Sequence, residues 1–94
     1  MLLDKVKQSL RYEDNSFDED LQDSIDAAIA DLELSGILGS KIVETDPLII
    51  RAIKTFCKAE YSIDNNEAQR YRESYNMLKI HLALSREYTT EEVL

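Results

Sequence analysis

Leu21, Ile25, Ala28, Ile29 and Leu32 recur at i, i+4, i+7, i+8 and i+11, and Glu19, Asp20, Asp23 and Asp31 project from the other side. This is the spacing of a helix with one apolar stripe and one solvated face. No strand pattern, which alternates with a period of two, reproduces it. Such a stripe must be covered by other elements of the chain, and the rest of the sequence supplies them in the same form. Only two glycines and one proline interrupt 94 residues, so there are few places where helices can break. With 44% hydrophobic and 32% charged residues the chain is too apolar for disorder and long enough for one core. The expectation is an all-α fold, a compact bundle of four helices forming a single domain over residues 1–94.

The first helix is expected over about residues 2–11, where Leu3, Val6 and Leu10 form a thin stripe. The second spans about 17–35. Ser16 and Glu19 suggest a capping box at its start, and Asp18, Glu19 and Asp20 suit the positive end of its dipole. Ser35 and Gly36 provide its stop, because glycine accepts the left-handed conformation common just past a helix end. Asp46 and Pro47 open a third helix over about 47–62, the carboxylate capping and the proline placed where its missing N–H costs nothing. Its apolar face holds Ile49, Ile50, Ile53, Phe56, Cys57 and Tyr61, and Arg51, Lys54 and Lys58 line up beside it. Asp64 and Glu67 repeat the capping pattern at the head of a fourth helix over about 65–85.

Two segments are less ordinary. The loop 36–46 contains Ile37, Leu38, Ile42 and Val43, too apolar to stand in solvent, so it packs on the core or covers a neighbour. The fourth helix carries one stripe of Tyr71, Tyr75, Leu78 and Leu82 and a second, opposite stripe of Met77, Ile80 and Leu84, so its C-terminal half needs cover on two sides. In a domain this small the second cover is expected to be another chain. Residues 87–94, polar apart from Tyr88, Val93 and Leu94, are expected to form a loose tail.

Chemistry is harder to find. His81 is the only histidine, and no Ser or Cys pairs with it on sequence grounds as nucleophile and base. The single Cys57 has no neighbour at metal or disulfide spacing and reads as core packing. Asp14, Ser16, Asp18 and Asp20 begin like a calcium loop. The glycine position is then Glu19 and the bidentate position Ile25, so capping and a solvated acidic face is the better reading. Gly36 and Gly39 are not followed by the Gly-Lys-Ser/Thr arrangement of a phosphate loop. Neither an enzyme nor a cofactor is expected. No run approaches the roughly 20 apolar residues of a membrane span, and MLLDKVKQ lacks a signal-peptide apolar region, so the protein is expected to stay in the cytoplasm where it is made.

Charge is segregated. The net charge of −8 argues against a general nucleic-acid binder. Residues 12–40 hold nine acids and no Lys or Arg, whereas residues 41–86 hold eight basic residues against six acids. Such asymmetry can orient one subunit on another.

Taken in order, the segments LDKVKQSLRYED, DEDLQDSIDAAIADLE, DPLIIRAIKTF and YRESYNMLKIHLALSREY resemble the small head-tail connector, or adaptor, proteins of long-tailed bacteriophages and their prophage relatives. The likeness spans most of the chain. It implies a four-helix subunit that assembles head to tail into a ring, dodecameric on the portal, in the host bacterial cytoplasm, and ends at the head-tail interface of the virion. The ring would extend the DNA channel and dock stopper or tail-completion proteins, with DNA only passing through and no membrane involved. The short loop 36–46 departs from the resemblance, matching no family motif that assigns a contact. The charge pattern suggests that Asp20, Asp23 and Asp31 of one subunit approach Arg51, Lys54 and Lys58 of the next. Met77, Ile80, Leu84, Ile37, Leu38, Ile42 and Val43 would form the apolar part of an interface. The alternative is a small acidic phage or bacterial regulator that imitates DNA charge on a basic protein partner, resting on the acidic stretch 12–40.

Overall fold

A computed structural model of the chain describes residues 2–91. Four helices carry the fold: α1 (Leu2–Leu10), α2 (Asp18–Leu34), α3 (Pro47–Tyr61) and α4 (Asn65–Leu84). A single 3-10 turn, Gly39–Lys41, lies in the α2–α3 connection, and a short fifth helix, α5 (Arg86–Thr89), follows α4. No strand occurs among the described residues, and each long helix begins and ends within two residues of its expected limits.

The helix ends show why. The Leu48 and Ile49 N–H groups donate to Asp46 Oδ1 at 2.9 and 3.3 Å, with Pro47 in the first turn. Asp64 Oδ1 likewise accepts from Asn66 and Glu67 at 2.8 and 3.3 Å. At the end of α2, Gly36 takes φ +107° and Gly36 and Ile37 donate back to Glu33 and Leu32. This paired closure is the Schellman motif, and it folds Ile37 onto the core beside Leu32. The same closure ends α1, where Arg11 and Tyr12 donate to Gln8 and Lys7. There Arg11 occupies the left-handed region at φ 61° without glycine's freedom.

The start of α2 differs from expectation. Its cap position is Phe17, with no side-chain cap, so Ser16 and Glu19 form no capping box. Asp14 Oδ1 instead accepts from the Ser16 N–H at 3.0 Å, turning the chain one step earlier. Lys7 ties this turn to α1, 2.8 Å from both Asn15 Oδ1 and Asp18 Oδ1.

Helix α3 is the spine. It packs on α1, α2 and α4, most extensively on α4. The core between them contains Val6, Leu21, Ile25, Ala28, Leu32, Ile49, Ala52, Ile53, Cys57, Tyr75 and Leu82. Of the residues expected there, Ile29, Phe56, Tyr61 and Leu78 are half-buried against it. The molecule measures 46 × 27 × 19 Å.

The loose tail is overturned for the part described. The Leu38 N–H donates to the Tyr88 carbonyl at 3.0 Å, Ser40 Oγ donates to Glu91 at 2.6 Å, and Tyr88 is buried with its hydroxyl donating to Asp46 Oδ2 at 2.8 Å. One aromatic ring and one cap carboxylate therefore fasten α5 to the entry of α3. Val93 and Leu94 lie outside the described residues.

Candidate functional site

The surfaces follow from which face each helix turns to the core. On α2, Glu19, Asp20, Asp23 and Asp26 are exposed on the side opposite Leu21, Ile25 and Leu32. Among the described residues none of the four is within ion-pair distance of a cation, and Asp26 accepts only from Gln22 at 3.0 Å. On α3, Arg51, Lys54 and Lys58 fall within about 60° of one another at about 100° per residue, turned away from Ile49, Ile53 and Phe56. Lys5 and Ser9 of α1 join them along a shallow groove between α1 and α3. Lys58 sits 5.7 Å from the centroid of the half-buried Tyr71 ring, so its stem lies on the protein while its charge stays in solvent. Each of the two faces of opposite charge lies on the side of its helix away from that helix's core residues.

Asp31 departs from the acidic group in which the sequence placed it. Its Oδ2 accepts from the Tyr75 hydroxyl at 2.6 Å and from Lys79 Nζ at 3.0 Å, tying α2 to α4 across the open side of the molecule. Burial raises the Asp31 pKa, and the two hydrogen bonds and the Lys79 charge more than offset this, leaving it below the ordinary value. Tyr75 moves the other way, pushed up by burial and then by its bond to Asp31 and that group's charge. Lys79 also lies 5.4 Å from the Tyr75 centroid, and the Phe56 ring meets Tyr75 edge-on at 5.2 Å. Nothing in the sequence marks a pairing 44 residues apart.

The candidate apolar contacts divide. Ile37 is 2% exposed, a member of the subunit's own core, because the Schellman closure turns it inward. It therefore leaves the group of surface contacts. Leu38 and Ile42 are half-buried. Val43, Met77, Ile80 and Leu84 are exposed, at 42, 63, 56 and 80%. The second stripe of α4 is thus uncovered in the subunit. Leu34, 87% exposed at the end of α2, is a further apolar side chain on the surface that the stripe pattern did not single out.

Sequence reasoning also missed a groove. Helices α2 and α4 both lean on α3 without closing over it, and the gap has Phe56 and Ala59 as floor, Ala27, Ala30 and Leu34 as one wall, and Tyr75 and Asn76 on the other. Arg72 and Glu60 stand at its rim, and the Asp31–Lys79 pair spans it. The short side chains of Ala27 and Ala30 help leave this gap open.

Cys57 is fully buried, and burial followed by the nearby Glu60 charge pushes its thiol up to about 12, so it lacks the thiolate character of a nucleophile. His81 is exposed on α4. Among the described residues no group of three or more His, Cys, Asp or Glu is placed to hold a metal, and no helix is long and apolar enough to cross a membrane. These surfaces can make protein contacts by charge and by apolar burial.

No curated protein and no solved structure matches the chain. A family model described as phage connector protein matches residues 2–89, a span that takes in all five helices together with both charged faces, the uncovered stripe of α4 and the docked α5. The chain belongs to the phage connector protein family, whose role is structural.

Proposed function

We propose that the chain is a head-tail connector subunit that joins copies of itself head to tail in a ring, dodecameric on the portal. The ring stands between the portal and the stopper or tail-completion protein and extends the DNA channel. Assembly takes place in the cytoplasm of the bacterial host of a phage or prophage. The observation that carries this reading is the placement of opposite charge on two separate surfaces, acids on the side of α2 away from its core residues and cations on the side of α3 away from Ile49 and Ile53. A ring built from one kind of subunit needs two different, mutually complementary surfaces on each copy, because a heterologous contact closes only by repetition.

In this reading Asp20 and Asp23, with Asp26 rather than the internally bonded Asp31, approach Arg51, Lys54 and Lys58 of the next subunit. Met77, Ile80, Leu84 and Val43, with the half-buried Leu38 and Ile42, supply apolar contact to a neighbouring subunit, the portal or the stopper. Unpaired acids facing a channel would also repel phosphate, which lets DNA pass without sticking.

The test is electron microscopy of the chain mixed with its cognate portal. Rings capping the portal are the expected result, and reversing Arg51, Lys54 and Lys58 together to Glu should abolish them. Rings that persist in the triple variant would sink the charge pairing, and absence of any ring on the portal would sink the connector reading. The unpaired acids of α2 favour a second reading, a DNA-mimicking regulator of a basic protein. That reading calls for a monomer or dimer that binds such a protein with steep salt dependence and does not bind portal.

A further inference from the structure

The uncovered stripe of α4 and the open groove beside it are on the same chain but on different faces. At about 100° per residue, Met77, Ile80 and Leu84 point about 120° around α4 from the side formed by Arg72, Tyr75, Asn76 and Lys79. A subunit cannot fill its own groove with its own stripe. A second copy can, and the contact is then heterologous, leaving one stripe and one groove free at the two ends of every chain of subunits.

Shape and charge favour this occupant. The groove walls and floor include Ala27, Ala30 and Ala59, side chains short enough to let large apolar side chains of a neighbouring helix enter beside the Asp31–Lys79 pair that bridges α2 and α4. The stripe offers three large apolar side chains at i, i+3 and i+7, each more than half exposed, the anchor pattern of a helix laid in a groove. Glu73 continues the stripe one turn before Met77, and Arg72 stands at the groove rim. Among the described residues neither is in an ion pair within the subunit; Glu73 accepts only from Gln69 at 3.1 Å. An acid at the head of the ridge thus has an unpaired cation at the edge of the receiving surface.

We propose that α4 of one copy lays Met77, Ile80 and Leu84 into the groove between α2 and α4 of the next copy, with Glu73 against the neighbour's Arg72. The proposal rests on the ring reading and names the contact that propagates it. It predicts a groove-to-stripe order that a face-to-face dimer does not have.

The test is crosslinking of an Ala30→Cys, Ile80→Cys double variant, alone at high concentration and on portal assemblies, with a short bis-maleimide. Buried Cys57, with its raised thiol pKa, does not compete. The expected result is a ladder of covalent multimers from the double variant and no ladder from either single-cysteine variant. Ile80→Glu in an otherwise unchanged chain should remove the portal-bound rings while leaving the thermal midpoint of the isolated chain within about 2 °C, since the residue is exposed. Rings on the portal without a ladder overturn the groove contact and leave the connector reading standing. A ladder confined to dimers, or rings that survive Ile80→Glu, overturns it too. Absence of any assembly overturns both readings.

Discussion

Replacing Asp46 with Ala isolates the residue on which the α5 end of the fold depends. Its carboxylate has two jobs: Oδ1 accepts from the first turn of α3 at 2.9 and 3.3 Å, and Oδ2 accepts from the Tyr88 hydroxyl at 2.8 Å. Loss of an N-cap costs about 1 kcal/mol, and loss of a hydrogen bond to a charged, partly exposed acceptor about another 1 kcal/mol. For a domain of this size about 2 kcal/mol lowers the thermal midpoint by about 8–16 °C and the urea midpoint by about 1–2 M. Circular dichroism in thermal and urea unfolding measures both. Asn at this position still caps, so Asp46→Asn should retain about half of the stability that Asp46→Ala loses. The Tyr88 bond is separated by a double-mutant cycle, in which Tyr88→Phe should cost about 1 kcal/mol in the wild-type chain and near zero in the Asp46→Ala variant. An equal effect of Tyr88→Phe in both backgrounds would refute the coupling. An Asp46→Ala loss below about 0.5 kcal/mol would refute the double role of the carboxylate.

Two further perturbations test the backbone and the α2–α4 bond. Arg11 holds a left-handed conformation that costs a residue with a Cβ about 1–2 kcal/mol, while glycine gives back about 0.4–1 kcal/mol through its freer unfolded chain, so Arg11→Gly should stabilise by about 0.5–1 kcal/mol in urea unfolding. Destabilisation would show that the arginine side chain contributes more than its backbone strain costs. The Tyr75 pKa is raised in the fold, so the stability it supplies is fully present below the ordinary tyrosine value of about 10 and is lost as pH rises through the folded value. Asp31 is lowered, so its stability is present above about 3.9 and lost as pH falls through the folded value. Urea unfolding across pH should therefore show the advantage of wild type over Tyr75→Phe shrinking above about pH 10, and its advantage over Asp31→Asn shrinking below about pH 4. A pH-independent difference in either pair would contradict the bonding of Asp31 to Tyr75 and Lys79.

The four long helices were legible in the sequence because a helix's apolar period, its caps and its glycine stop are local. Leu21, Ile25, Ala28 and Leu32 form one buried row wherever a helix runs through them, and Asp46 and Asp64 cap because the N–H groups they satisfy lie two and three residues away. The start of α2 shows the reach of that logic. Ser16 and Glu19 have capping-box spacing, yet Asp14 and Lys7 compete for the same turn, and the box does not form. The charged and apolar faces were legible for the same reason. Arg51, Lys54 and Lys58 share a face by spacing alone, as do Met77, Ile80 and Leu84.

What that periodicity could not distinguish was a surface residue free to meet a partner from one already engaged. Asp31 has the same local pattern as Asp23, and only the arrival of α4 gives it Tyr75 and Lys79. Ile37 looked like Val43 in an apolar loop, and only closure of α2 onto the core separates the buried residue from the exposed one. Tyr88 stood in a polar tail until its ring met Asp46, and the groove over Phe56 and Ala59 exists because two helices lean on a third without closing over it. The sequence by itself determined the helices, their ends and the sign of each face, since these depend on neighbours within a turn or two. Tertiary structure decided which of those faces remain uncovered, because that depends on where residues more than 40 positions away come to rest.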